Sequence, residues 1–489
     1  MSYIKGQNRD QILMPISLND SIPSDHYIRI LDVFVDQMVS NNSEIEFSKG
    51  KKRVGRSAYP FEVLMKLYIY GFINKISSSR DLELETHRNI EVMFLLKDLK
   101  PDHKTISDFR KDNSDSIRIF TLAFRRFLIK EKYISGKLMA TDGTKAKANT
   151  NRNSLTLEKI NNKLIFCENE LAKYLEKIEN NDIVNQLEED IANLAEKSQI
   201  KKSLLDKIAK LEKEVARLEK CKTELETRDL ESIYPSDPEA KTMKDKSGFM
   251  PGYNVQSTVD AEHHMIVQMD VTDRQNDFDC LEDNVNAVKE QVGLTPETLL
   301  ADTGYGNEDH VKNLVENNKM NVIVPFQEHG NQKKLKKKEG ITFTYNEDED
   351  CFYCSEGKKL KKTHNCVKYK GKSYKKYQGK ECEGCSKKSK CTKSKIGRII
   401  SKRIDDQFIT NYKAFLESKE NKELIKKRKT IVEHHHGTIK NWMGHIPIKL
   451  RGKQKVQIEI DLISTAYNFK RLINIEPFEN LMQKLIKWA

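Results

Sequence analysis

Residues 137–150, KLMATDGTKAKANT, decide how the rest of the chain is read. The apolar run Leu138, Met139, Ala140 predicts a strand, and Asp142–Gly143 puts an acid at or just past its end. The design recurs in residues 299–307, LLADTGYGN, where Asp302 follows an apolar run and precedes a glycine-containing turn. Acids ending separate strands can converge on one point. Glu433, in RKTIVEHHHGTIKNWMG (residues 428–444), falls on a predicted late helix able to reach the same place. Singly each acid is weak evidence, because a DG or DT dipeptide is more often a turn. Together, three carboxylates can clamp two divalent cations ~3.5–4 Å apart for in-line attack on a phosphodiester. Mg²⁺ suits them as a hard ion that prefers oxygen, with Mn²⁺ as the alternative.

Around these acids the patterning predicts a mixed α/β sheet. Strand-like runs cover residues 253–259, 265–271, 298–301 and 321–324, with helical patterns at 279–290 and 308–316 between them. The first ~130 residues read as helical. Pro60 opens a segment with Val63, Leu64, Leu67, Tyr68 and Phe72 at helical spacing. Ser77 to Ser79 stand as a cap for the next helix, and Thr105 with Asp108 resembles a capping box. Between Gly143 and Pro235 there is neither Gly nor Pro. Leu157, Ile160, Leu164, Cys167, Leu171, Tyr174 and Ile178 alternate by three and four there, and Leu204, Ile208, Leu211, Val215 and Leu218 repeat the pattern. With ENNDIV (residues 179–184) as the interruption, this predicts an antiparallel helical hairpin of coiled-coil character. It is either a dimerisation arm or a pair packed on itself. The late helix is expected over residues 411–444.

At 489 residues the chain is long enough for two to four domains. No run approaches the ~18 apolar residues of a membrane span. The opening MSYIKGQNRD lacks the apolar stretch of a signal peptide, which predicts a cytoplasmic protein. The net charge is +13, and residues 331–400 hold 21 Lys or Arg against 8 Asp or Glu, a surplus equal to the whole excess. Such a local basic field suits a phosphate backbone bound through counterion release, or else is a solvated insertion.

The motifs DGTKAKAN, LLADTGYGNEDH and IVEHHHGTIK resemble the first-, second- and third-acid segments of the DDE transposases of bacterial insertion sequences. The resemblance covers most of the chain. GYNVQSTVD and RQNDFDCL resemble that family's core strands. PFEVLMKLYIYGF, SSSRDLE and DHKTISDFR, between Tyr59 and Arg110, resemble the helical domain that opens many of its members. The family places a Lys seven residues after the Glu, and Lys440 has that interval from Glu433. Seven residues are about two helical turns, so the two share a face in a regular helix. The family's Tyr and Arg before the Glu are not matched: Lys426 stands at the Tyr position, and Lys429 at the Arg position, with Arg428 one residue away.

The resemblance implies an RNase H-like core at residues 131–154, 232–326 and 406–489. An N-terminal helical DNA-binding domain would occupy 1–130, the helical hairpin 155–231, and a basic Cys-rich insertion 327–405. It implies Asp142, Asp302 and Glu433 as catalytic acids holding Mg²⁺ or Mn²⁺, and Arg428 and Lys440 as DNA-phosphate contacts. It also implies recognition of inverted terminal repeats, cleavage and strand transfer, a homodimer on paired DNA ends, and a place at the bacterial nucleoid. The alternatives are a nuclease of the same fold, a catalytically inactive DNA-binding relative, and, most weakly, a coiled-coil scaffold.

Six of the nine cysteines fall between Cys351 and Cys391. Without a secretion signal, such clustering favours metal ligands over disulfides. Cys351-x₂-Cys354 and Cys382-x₂-Cys385, with Cys391 following and Cys366 between, match the logic of a structural zinc site. The family resemblance, with its late C-x₂-C-x₅-C cluster, selects Cys354, Cys382, Cys385 and Cys391 for Zn²⁺, with Cys351 the rival for the first place. Cys167, Cys221 and Cys280 read as packing residues. His434, His435 and His436 point about 100° apart on a helix, so they cannot all face one ion. Trp442 is expected to pack on the sheet, with base stacking the alternative.

Overall fold

The computed structural model describes residues 17–45, 58–187, 194–245, 248–326, 340–369, 372–382, 384–403, 407–443 and 448–488. The basic run at 333–338 lies outside them, as does the side chain of Trp442. Among the described residues six helices precede the first strand: α1 (Tyr27–Ser40), α2 (Phe61–Ile73), α3 (Ser79–Arg88), α4 (Ile90–Leu96), α5 (His103–Asp112) and α6 (Ser114–Lys130). α2 is apolar nearly all round and is buried accordingly. Its one buried charge, Lys66, lies between Asp32 and Asp36 of α1, each at 2.6 Å. The expected capping box is displaced. Asp102 is the N-cap of α5 and accepts from the backbone N–H of Thr105 at 2.7 Å, so Thr105 lies inside the helix. Aspartate is the stronger cap, and it stands where the backbone is still extended.

Next come β1 (Leu138–Lys147), the helices α7 (Leu157–Leu187) and α8 (Leu194–Thr227), β2 (Lys241–Asp245), β3 (Gly248–Asp260) and β4 (Ile266–Thr272). α9 (Leu281–Val292), β5 (Thr298–Leu300), α10 (Glu308–Glu316) and β6 (Asn321–Ile323) follow. The sheet runs β2-β3-β1-β5-β6, with β4 also paired to β3. β3 is antiparallel to β1, and β4 to β3, whereas β5 and β6 continue parallel to β1. Parallel neighbours need a crossover, and α9 and α10 supply the helices for them. A helical region followed by this mixed sheet is consistent with an RNase H-like fold.

α7 and α8 pack on one another through Ile160, Cys167, Leu218, Cys221 and Leu225. ENNDIV does not interrupt them, because α7 runs through it to Leu187. Without Gly or Pro, Asn and Asp are tolerated in a helix whose apolar rows continue on either side.

Residues 343–403 form a second, antiparallel sheet: β7 (Phe343–Asn346), β8 (Cys351–Cys354), β9 (Lys359–Tyr369), β10 (Lys372–Gln378) and β11 (Ile399–Arg403). Its small core is Leu360, Tyr377 and Ile400. The predicted late helix is two helices, α11 (Gln407–Leu416) and α12 (Lys419–Gly437), continued by a π turn at Thr438–Trp442. Ser418 makes the break by capping α12, its side chain accepting from Asn421 N–H. Then α13 (Lys453–Ile475) and α14 (Phe478–Ile486) close the chain. α13 is buried along most of its length and packs on β4, α2 and α6, so the helices and the main sheet share one core.

Candidate active site

β1 and β5 are parallel neighbours with Ala140 opposite Leu300. Two residues on from each stand Asp142 and Asp302. Side chains alternate along a strand, so each acid shares the face of its matched residue, and the two arrive side by side. Asp302 leaves β5 as the N-cap of a short turn, its Oδ1 accepting from Gly304 N–H at 2.7 Å. Asp142 Oδ1 accepts from Gly143 N–H at 3.0 Å. Burial pushes the Asp142 carboxyl up to about 6, with Asp302 and Asp277 adding to the rise while Arg428 and Gly143 N–H oppose it. Arg428 only partly offsets the charge of a half-buried acid facing other acids, and a divalent cation would complete the compensation.

α12 lies across β1 and presents a row spaced by four residues. Arg428 Nη1 is 3.9 Å from Asp142 Oδ2, and His436 Nε2 is 4.0 Å from the same oxygen. Lys440 Nζ donates to Thr144 Oγ1 at 2.8 Å, and Thr144 shares the β1 face of Asp142. Glu433 belongs to the adjacent row. Its side chain is 65% exposed and faces Lys429 at 3.7 Å. The shared face expected for Glu433 and Lys440 is altered by the π turn. Its wider winding brings Lys440 into line with His436.

The three consecutive histidines diverge as 100° steps require. His434 Nδ1 meets Tyr467 OH at 2.9 Å, and its ring stacks on His264. His435 is fully buried with Nε2 at 2.8 Å from Ser257 Oγ, which donates to the backbone carbonyl of Asp142 at 3.2 Å. His436 faces Asp142. Burial, then the charge of Lys440, holds the His436 imidazole down at about 4, so it is neutral at physiological pH.

Sequence reading missed the polar floor of the site. Asp277 accepts from Gln256 Nε2 at 2.7 Å, Asn254 Nδ2 at 2.9 Å and Lys145 Nζ at 3.3 Å. Gln256 in turn accepts from Asn284 at 3.0 Å and from the buried Tyr305 hydroxyl. Gly143 is needed here: a Cβ would lie 2.4 Å from Asp277 Oδ1 and 2.6 Å from Gln256 Nε2. The motif RQNDFDCL contained Asp277, but nothing in the sequence distinguished it from Asp279.

Among the described residues, one set of three acidic or histidine side chains brings its ligand atoms within 4.8 Å of one another: Asp260, Glu262 and His263, a candidate metal-binding cluster. Asp260 pairs with Met139 where Asp142 pairs with Ser257, which places it three residues, about 10 Å, along the sheet from Asp142. Its Oδ1 accepts from Ser135 N–H and Oγ and from Gly136 N–H, and its Oδ2 from Glu262 N–H. Those bonds close the turns at this end of the sheet and leave few lone pairs for an ion.

Cys354, Cys382, Cys385 and Cys391 line one small cavity beside Arg398. Their sulfurs do not draw within 4.8 Å of one another as a closed cluster. Cys351 is buried apart from them, its thiol toward Glu349, and Cys366 is exposed. Cys167 and Cys221 pack between α7 and α8, and Cys280 in the main core.

No helix among the described residues is long and apolar enough to cross a membrane. No curated protein matches the chain. A solved piggyBac transposase synaptic complex with hairpin DNA aligns over 94% of this chain and 78% of its own at 10% identity, with a TM-score of 0.34. The family model for a transposase domain (DUF772) matches residues 16–112, the helical region, and that for the transposase DDE domain matches residues 216–469. The second match takes in Asp302, Glu433 and Lys440 and leaves β1 with Asp142 outside it. Spanning more than half of the 489 residues, it makes this chain a member of the transposase DDE domain family.

Proposed function

We propose that the chain is a DNA transposase that cleaves the ends of its element and joins them to target DNA. The observation that carries this reading is the adjacency of Asp142 and Asp302 at neighbouring parallel strands, with the Asp142 carboxyl raised by burial and by the charge of Asp302. Both fit a hard divalent ion, Mg²⁺ or Mn²⁺, with Glu433 as the third acid once it leaves Lys429. Bound there, the ions would activate the attacking oxygen and stabilise the leaving one. Lys440 and Arg428, on the helix face toward β1, would bind the phosphates flanking the scissile bond. Asp277 with Asn254 and Gln256 would keep the floor of the site fixed beneath Asp142. The helical region and the basic stretch within 331–400 would hold the rest of the DNA, in a homodimer on paired ends in the bacterial cytoplasm.

The same reading assigns a structural Zn²⁺ to Cys354, Cys382, Cys385 and Cys391. Four thiols lining one cavity are the donor set a tetrahedral zinc site needs, and the ion would draw them together. Metal analysis of the purified protein should find one zinc per chain, lost in Cys382→Ser/Cys385→Ser. A metal-free protein of unchanged stability would sink that assignment.

The catalytic test uses purified protein, labelled DNA carrying the element ends, and Mg²⁺ or Mn²⁺. Cleavage with joined products, abolished by Asp142→Ala, Asp302→Ala and Glu433→Ala, supports the transposase. Cleavage without joining identifies a nuclease. DNA binding without cleavage under any metal identifies an inactive relative.

A further inference from the structure

Two buried polar atoms around Asp142 have no hydrogen-bond partner: Arg428 Nη1 and His436 Nε2. Both face the same carboxylate oxygen at distances too long for a hydrogen bond, 3.9 and 4.0 Å. Orphaned buried polar atoms are uncommon, and these two lie about one acid. The two differ in what they can bind. A guanidinium has donors only, whereas a neutral imidazole nitrogen carries a lone pair when the proton is on the other ring nitrogen.

We propose that His436 is a ligand of the divalent cation held by Asp142, giving this site a nitrogen donor beside its carboxylates. The inference rests on the reading of Asp142 as a metal-binding acid. His436 Nε2 and Asp142 Oδ2 stand 4.0 Å apart, and a shared ion ~2.1 Å from each as cis ligands would draw them to about 3 Å. The backbone positions are fixed independently of any ion. His435 anchors α12 to Ser257 on β3, and Lys440 ties the π turn to Thr144 on β1. The neighbouring histidines are otherwise committed, His434 to Tyr467 and His435 to Ser257, so His436 is the member of the triplet that reaches the acid. Glu433 is turned to Lys429, whereas the His436 imidazole faces Asp142. A nitrogen ligand shifts affinity from Mg²⁺ toward first-row divalent ions, because imidazole is a softer donor than a carboxylate.

The test is spectroscopic and needs no turnover. Mn²⁺ is titrated into the full-length protein, with binding followed by loss of the free-ion electron paramagnetic resonance signal. Electron spin-echo modulation of the bound ion then reports any directly coordinated ¹⁴N. Wild type is expected to show the ¹⁴N coupling, and Asp142→Asn to lose the bound ion. His436→Phe is expected to lose the coupling and to bind Mn²⁺ at least ~10-fold more weakly, as loss of even an outer-shell partner does. His434→Phe should keep both. Bound Mn²⁺ that depends on Asp142 but shows no ¹⁴N coupling, or keeps it in His436→Phe, overturns the His436 assignment and leaves the carboxylate site standing. Absence of any Mn²⁺ binding overturns the metal reading of Asp142, and this inference with it. The wild-type spectrum alone can refute the proposal, so it does not depend on the variants folding.

Discussion

Asp142 and Asp302 are neighbours because Ala140 lies opposite Leu300 in the parallel β1–β5 pair, and each acid follows its matched residue by two. Strands joined through a long stretch of intervening chain thus deliver two carboxylates to one spot, where the charge of Asp302 adds to the cost of ionising Asp142.

That arrangement has a stability consequence. The Asp142 carboxyl is raised from 3.8 to about 6 by burial and its acidic neighbours. A raised folded value means that the favourable, protonated contribution is complete below the unfolded value and lost as pH rises through about 6. At pH 7 the metal-free protein therefore carries a half-buried charge that Arg428 at 3.9 Å only partly offsets. Asp142→Asn should stabilise the metal-free protein by on the order of 1–3 kcal/mol while abolishing cleavage. Thermal melts at pH 7 without and with Mg²⁺ check this: wild type gains from the ion and the variant does not. A variant less stable than the metal-free wild type would contradict it.

Gly143→Ala should damage the site without touching either acid. The new Cβ meets Asp277 Oδ1 and Gln256 Nε2 at distances no side chain tolerates. Both groups are held in a hydrogen-bonded floor and cannot easily retreat. A loss of about 1–3 kcal/mol is expected. The Gly143→Ala/Asp277→Ala pair should lose less than the sum of the single changes, since removing the carboxylate makes room. Strict additivity in denaturant unfolding would refute the contact.

Arg428→Ala and Lys440→Ala should weaken DNA binding about equally on all sequences. Each lost phosphate contact lowers the slope of log affinity against log salt by roughly one. Anisotropy titrations across a salt series measure it. A slope unchanged in both variants would remove these residues from the DNA surface.

The second sheet has its own acid dependence. Lys362, Tyr377 and Tyr345 hold the Asp350 carboxyl well below the usual carboxylate range. A depressed folded value contributes stability above the unfolded value of ~4, lost as pH falls toward the folded one. Amide exchange in β7–β10 should therefore lose protection as pH drops below ~4 (after correction for intrinsic rates). Asp350→Asn should reproduce about 1 kcal/mol of that loss at neutral pH. Protection indifferent to both changes would show that Asp350 does not hold this sheet.

By itself the sequence determined what local pattern can encode. Apolar runs before Asp142 and Asp302 marked their strands, although β1 runs on to Lys147 in pairing with β3 and leaves Asp142 in mid-strand. Helical spacing marked α2 and the α7–α8 pair, and the second- and third-acid motifs fall within the family match. Where helices stop was less legible. Ser418 splits α11 from α12, and α7 runs on through ENNDIV, because caps and packed rows outweigh composition at such points. The tertiary structure alone decided which side chains meet. Register across β1 and β5 set Asp142 beside Asp302, and the angle of α12 turned Arg428 and His436 inward and Glu433 outward. Asp277 became part of the site only because Gly143 leaves it space. Such relations join residues far apart in the chain through pairing and packing, and a one-residue change of register or winding would reassign every one of them.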